Sequence, residues 1–437
     1  MEKIKTRIGF EIKHPKMLYS ALLIVALCLF GAESNYFTIA ILLGFVPLIL
    51  NPEYLLGPVL FSNVWGAWFL VADGQTFARY LTLLFAFSVF LKVISVKQKI
   101  KVDFWFFTIV AAVALALATS AYGAWGYTSL PTSFALSMLL CFATIYCPIK
   151  SKELLLKQLW LFAIMGIIFA FWLVLRNGLD VFESGRLGAG LDEEMTANAV
   201  GKGICTFAAL VFVHFLTNRF KGKVIHLTLL FVSVFLIFLT GSRNSLLALA
   251  ITAIISLLYW LKLNSKRLIP VILLIAVILV GCYYLYNYLV EAFPSLMERF
   301  ALSDVMEDGG SGRINVWSAY FKECFPKYWF VGMGFDPNNL IYDIQIINSV
   351  GHGAHNHIVD ILASTGVVGL ALFGAMHIKS YILSFKSIKR DTSAIIPFAI
   401  FTATLLLGIG ENVLRGRMLW FATALVIVFY RLSRQQE

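Results

Sequence analysis

Charge is scarce in this sequence. Asp, Glu, Lys and Arg together make up 14% of 437 residues, against 60% hydrophobic residues, and the mean hydropathy is +0.83. So little charge excludes a soluble globule and predicts an all-α polytopic membrane protein. A disulfide framework is missing too: of the six cysteines, Cys28, Cys141, Cys147, Cys205 and Cys282 fall in apolar runs, and Cys324 stands alone in a long polar stretch. No zinc-type cysteine spacing emerges. There is no internal repeat and no low-complexity tract. Met1 to Lys16 is basic, without a small-residue cleavage site after the first apolar run, which predicts that no signal peptide is removed. The net charge of +11 would suit nucleic acid, but its distribution along the chain is topological, which removes nucleic acid as a partner.

What the chain does have is long hydrophobic runs, about fourteen of them from 17–31 to 416–430, including 36–50, 54–72, 268–289 and 357–378. By the roughly 20-residue criterion they predict a helical bundle of about 12–14 transmembrane helices. Basic residues mark every second connection: Lys3 to Lys16, Lys92 to Lys101, Lys150 to Lys157, Arg219 to Lys223, Lys262 to Arg267, Lys379 to Arg390, and Arg431 with Arg434. The positive-inside rule puts these connections and both termini in the cytoplasm. The loops 176–197 and 290–356 then face outward. The chain divides into N-terminal membrane helices, 1–175, and a second region, 176–437, that holds the large outer loop.

The cations outside that pattern are mostly arginines: Arg79, Arg176, Arg186, Arg243, Arg299, Arg313, Arg415 and Arg417, against Lys202, Lys322 and Lys327. Arginine keeps its charge and grips phosphate through a bidentate fork, so an outer face rich in arginine points to an anionic ligand. In the large loop, Ile314, Trp317, Phe321 and Phe325 recur at helical spacing and Pro326 ends the pattern, predicting a short amphipathic helix on the membrane surface or over the helix ends. Gly332-Met333-Gly334 reads as a tight turn.

The sharpest polar feature is Gly351-His352-Gly353-Ala354-His355-Asn356-His357, which leads into an apolar helix for which Asn356 is a good N-cap. Gly366 and Gly369 lie about three turns on, where a missing side chain lets something pass close to the backbone. Thr240-Gly241-Ser242-Arg243 interrupts two apolar runs, and a charge there needs a partner. Arg186 sits in the small-residue loop Ser184-Gly185-Arg186-Leu187-Gly188. Glu411, Asn412, Arg415 and Arg417 form a compact turn in which an internal Glu411–Arg415 pair is the simplest explanation. Zinc on His352, His355 and His357 is disfavoured, because no nearby cysteine or acid completes the set.

Together these motifs resemble the O-antigen ligase and polysaccharide repeat-unit polymerase superfamily of bacterial membrane glycosyltransferases, over residues 180 to 430. His355-Asn356 followed after nine residues by Gly366, then by Gly369, is similar to the ligase-branch pattern. Thr240 to Arg243 resembles the family's Thr-X-Ser-Arg turn. Gly312-Arg313, Trp317 and Gly332-Met333-Gly334 look like its loop motifs. The chain departs from the pattern at Ser364, where many relatives carry a carboxylate, and at Thr196-Ala197-Asn198, where many have Asn-Pro or Pro-Asn.

The resemblance implies an inverting, metal-independent transfer of a glycan from a polyprenyl diphosphate to an acceptor hydroxyl, on the outer face of the bacterial plasma (inner) membrane. The complete histidine-to-glycine pattern favours a ligase, whose acceptor is lipid A-core; the alternative is a polymerase, whose acceptor is a second lipid-linked glycan. It implies no cofactor. Arg186 and Arg243 would stabilise the leaving diphosphate and His355 would take the acceptor proton, with Arg313, Asn356, Glu411, Arg415 and Gly366 binding substrate. A transporter would also explain many helices, but it would place ionisable groups near the bilayer midplane rather than at one rim.

Overall fold

In lipid every backbone amide needs an internal partner, so apolar runs of this kind become helices. The computed structural model describes residues 14–122 except 32, 66–67 and 73–74; 132–177; 197–217; 223–264; parts of 269–294; 313–335; and 355–435 except 412 and 415. Its helices are α1 (Pro15–Phe30), α2 (Asn35–Gly44), α3 (Leu56–Trp65), α4 (Phe77–Ser95), α5 (Phe104–Tyr122), α6 (Thr132–Tyr146), α7 (Lys152–Asn177), α8 (Ala197–Thr217), α9 (Lys223–Leu239), α10 (Arg243–Leu263), α11 (Arg313–Ala319), α12 (Phe325–Tyr328), α13 (His357–Arg390), α14 (Ile395–Leu407) and α15 (Arg417–Arg434). Five of them, α4, α7, α8, α10 and α13, are long and apolar enough to cross a membrane, and shorter apolar helices accompany them. The chain is an all-α polytopic membrane protein.

The burial pattern fits that class. On α10 the inward face carries Ser245, Ala248, Thr252 and Ser256, while Leu247, Ile254 and Leu258 are exposed. Small and weakly polar residues inside with large aliphatic ones outside is the arrangement expected against lipid. α8 and α15 instead bury residues all round and occupy the centre.

Two expected spans are interrupted. The run 54–72 is the ten-residue α3 followed by a ribbon in which Leu70–Ala72 pairs antiparallel with Gln75–Thr76. The run 36–50 stops as helix at Gly44 and tightens into a 3-10 turn over Val46–Leu48, with Pro47 in its first turn, where its missing N–H is no loss. The run 268–289 lies largely outside the described residues.

Charge sorts between the two ends of the bundle. Lys152 at the start of α7 pairs with Asp391 at the end of α13. Arg431, near the end of α15, donates to the carbonyls of Ile145 and Cys147 at 2.8 and 3.0 Å, satisfying the C-terminus of α6. At the opposite end lie the starts of α8, α10, α13 and α15 and the end of α14.

Candidate functional site: a cationic rim around Glu411

The turn between α14 and α15 is fixed by bonds from two other helices. Asn244, on the first turn of α10, donates to Leu407 O at 2.8 Å. From the start of α13, the His357 N–H donates to Gly408 O at 2.6 Å and Asn356 Nδ2 to Ile409 O at 3.2 Å. These bonds seat Glu411, with its side chain only 11% exposed, among three basic groups from three elements. Lys202 Nζ of α8 lies 3.4 Å from Oε2, His355 Nδ1 is 3.7 Å from the same oxygen, and Arg313 Nη2 of α11 is 4.0 Å from Oε1. Gly410 lets them close up, since a Cβ there would meet Asn244 Cγ at 2.8 Å and Arg313 Nη1 at 3.0 Å.

Burial pushes the Glu411 carboxyl up, but the imidazole of His355 and the charges of Lys202 and Arg313 pull it down further, to about 2. The carboxylate is therefore ionised at every physiological pH. One anion facing Lys202, Arg313 and, when protonated, His355 leaves the rim with surplus positive charge. In partly buried surroundings such a surplus favours an anionic ligand.

Arg243 joins this rim from α10. The turn before it is rigid: Ser242 N donates to Thr240 Oγ1 at 3.2 Å, the Ser242 and Ser245 hydroxyls are 2.9 Å apart, and Gly241 takes a φ of 60°. It packs on Gly201 of α8, where a Cβ would come within 2.9 Å of Thr240, Ser242 and Ser245, one residue before Lys202. Arg243 is half-buried, and no carboxylate among the described residues is within ion-pair distance of it. Arg186 and Arg415 lie outside the described residues, so Glu411 is described with Lys202, Arg313 and His355 rather than in the local pair expected with Arg415.

The histidines separate. His355 faces Glu411, whereas buried His357 turns inward and meets His377 with 3.1 Å between their Nε2 atoms. His352 is outside the described residues. Asn356 caps α13 as expected, its Oδ1 accepting from Ile358 N and Val359 N at 2.9 and 3.2 Å. With Nδ2 on Ile409, its side chain is committed to holding the site's backbone.

Gly366 does admit a close backbone, and the backbone is the chain's own. α13 breaks there (φ 62°, ψ −162°), and a Cβ would stand 2.2 Å from Phe330 O. The freed groups pair with the incoming loop: Val367 N donates to Trp329 O at 2.8 Å, Met333 N to Ala363 O at 2.7 Å and Gly334 N to Ser364 O at 3.1 Å. Gly332, at φ 75°, makes the matching approach to Thr365. The loop helix runs past Pro326, through a π turn over Tyr320–Cys324 and on into α12. Its inward side is Val316, Tyr320 and Cys324 against Met333, Val359, Leu362 and Ala363, while Ile314 and Phe321 of the expected apolar face point outward.

Sequence reasoning passed over Lys202 as a site residue. A lone lysine near one end of the apolar run 198–217 was the available signal. Asp360 was also missed; it is buried on α13 one turn before Ser364, on the same face.

A buried carboxylate ringed by cations at one end of a helical bundle marks a candidate site in a polytopic membrane protein. Residues 228–374 match the family model described as O-antigen ligase, which supports the superfamily resemblance read from the motifs. The matched stretch contains Arg243, Arg313, His355, Asn356 and Gly366. No curated protein matches the chain.

Proposed function

We propose that this protein is a glycosyltransferase that moves a glycan from a polyprenyl diphosphate to an acceptor hydroxyl on the extracytoplasmic face of the bacterial inner membrane. The observation that carries the reading is the convergence of Lys202, Arg313 and His355 on Glu411, two of them from the O-antigen ligase match, with Arg243, which no carboxylate among the described residues pairs, on the same rim. As the sugar's C1–O bond breaks, its electron pair goes to the diphosphate, and fixed guanidinium groups stabilise the charge that develops there. Arg243 and Arg186 take that role, with Arg313 behind them.

The acceptor O–H loses its proton to His355 as the new C1–O bond forms on the opposite face of the sugar. Glu411, facing Nδ1, orients the imidazole so that Nε2 is the basic nitrogen and steadies the imidazolium that results. Asn356 and Gly366 serve as scaffold: one caps the helix behind His355, and the other clasps the loop that delivers Arg313. The acceptor is lipid A-core for a ligase; a second lipid-linked glycan, for a polymerase, is the alternative.

Purified protein incubated with a polyprenyl diphosphate glycan and either acceptor tests both parts. Arg243→Lys and Arg186→Ala are each expected to abolish transfer at unchanged membrane protein level; normal output would take that arginine out of the mechanism. Activity is expected to persist in excess EDTA, and metal-restored activity would overturn the metal-independent scheme. Attachment of preformed polymer to lipid A-core marks a ligase, and growth by lipid-linked units marks a polymerase.

A further inference from the structure

A second polar space adjoins Lys202. It is a cavity of about 200 Å³ between α3, α8, α14 and α15, with Asn63, Lys202, Thr206, Thr404 and Arg417 supplying its polar lining. Most of its polar groups are already bonded. Thr206 donates to Lys202 O at 3.0 Å, Thr404 to Ile400 O at 2.8 Å, and Asn63 Nδ2 to Val59 O at 2.8 Å. Two groups are left over: Arg417 Nη1, a donor, and Asn63 Oδ1, an acceptor, are buried without a partner among the described residues.

Arg417 also feels the like charge of Arg79 across the ribbon end of α4. A buried guanidinium with a free N–H and a repelling neighbour is stabilised by an anion that joins it. The orphaned acceptor on Asn63 needs a hydroxyl. Cavity, charge and the two leftover groups describe one ligand between them.

We propose that this cavity binds a hydroxyl-bearing phosphate: the phosphate on Arg417 and Lys202, and a neighbouring hydroxyl donating to Asn63 Oδ1. Two sources carry that chemistry, the phosphorylated sugar of a glycan and the glycerol-phosphate headgroup of an anionic lipid. The site shares Lys202 with the Glu411 cluster, but its other groups, Arg417 and Asn63, are not among those assigned to the departing diphosphate.

The test is the thermal unfolding midpoint of the full-length protein, followed by tryptophan fluorescence in phosphatidylcholine nanodiscs, with glycerol 1-phosphate, inorganic phosphate and glycerol as probes. Glycerol 1-phosphate is expected to raise the midpoint saturably, at lower concentration than inorganic phosphate, and glycerol to leave it unchanged. Arg417→Gln is expected to weaken the effect of both phosphates by about tenfold or more, the loss of one charge-assisted contact. Arg243→Lys is expected to keep it. No shift in the wild type, an equal shift in Arg417→Gln, or loss of the shift in Arg243→Lys would overturn the site.

If Arg417→Gln does not fold, Asn63→Leu decides. It is expected to erase the preference for glycerol 1-phosphate over inorganic phosphate, and a preserved preference counts against the proposal. Repeating the titration in nanodiscs containing phosphatidylglycerol separates the sources. Loss of the shift there assigns the site to a lipid headgroup, and its persistence assigns it to a phosphorylated glycan.

Discussion

His355 holds a φ of 43°, a left-handed conformation that few side chains adopt without strain. Histidine and asparagine tolerate it better than most residues, and β-branched ones tolerate it least. His355→Asn is therefore expected to keep the wild-type thermal midpoint and to lose transfer, whereas His355→Val should also cost about 1–2 kcal/mol of stability. Loss of stability in the Asn variant would show that the imidazole serves the fold instead. Glu411 offers a test by pH. Its folded pKa of about 2 lies below the ordinary value of 4.5, so its stabilising contribution is complete above pH 4.5 and is lost as pH falls toward 2. The thermal midpoint of Glu411→Gln, followed by fluorescence, should accordingly lie below that of the wild type at neutral pH and fall less steeply between pH 4.5 and 2. Lys202 and Glu411 are far apart in sequence, and only the folded chain brings them together. That is why the local Glu411–Arg415 pair was the natural reading of the sequence, whereas Arg243 and His355, at the edges of apolar runs, and Arg313, before the amphipathic helix of the large loop, were legible one by one.

At the scale of elements, the break in α13 carries the architecture of the site. Gly366→Ala would drive a methyl group into Phe330 O and force a left-handed φ on alanine. It is expected to destabilise the protein by more than about 2 kcal/mol, read as a lower midpoint and reduced membrane accumulation. Gly374, two turns on in the same helix, has open space around its Cβ position. Gly374→Ala should be neutral, or stabilising by up to about 1 kcal/mol. Equal effects from the two would mean that the clasp at Gly366 contributes nothing. The sequence announced the close approach through Gly366 and the Gly332-Met333-Gly334 turn, but backbone pairing between segments separated by a long loop leaves no mark on hydropathy. The inward side of α11 was misjudged for a related reason. In this segment both faces carry large apolar residues, so Ile314 of α11 and Phe321 of the π turn match the period as well as Val316 and Tyr320 do.

For the whole molecule, hydropathy made the class plain, while the breaks at α2 and α3 escaped it because prolines and a two-stranded ribbon lie inside continuously apolar stretches. The sorting of charge between the two ends yields a test of orientation. With the native cysteines replaced, Glu33→Cys at the end bearing Arg176 is expected to react with a membrane-impermeant maleimide on intact cells, and Lys389→Cys only after permeabilisation. The reverse pattern would place the Glu411 cluster inside the cell and remove the proposed chemistry.

The 34 residues of α13 would reach about 51 Å as one unbroken rod, well beyond the roughly 30 Å of a hydrocarbon slab. The part that follows Gly366 is by itself about 36 Å and suffices to cross. His357 to Thr365 are thus surplus to the crossing. Released from that duty, they act as a short bracket that carries His355 and Asn356 on one side and receives the returning loop on the other, so rim cap and crossing rod are the two halves of a helix broken at Gly366.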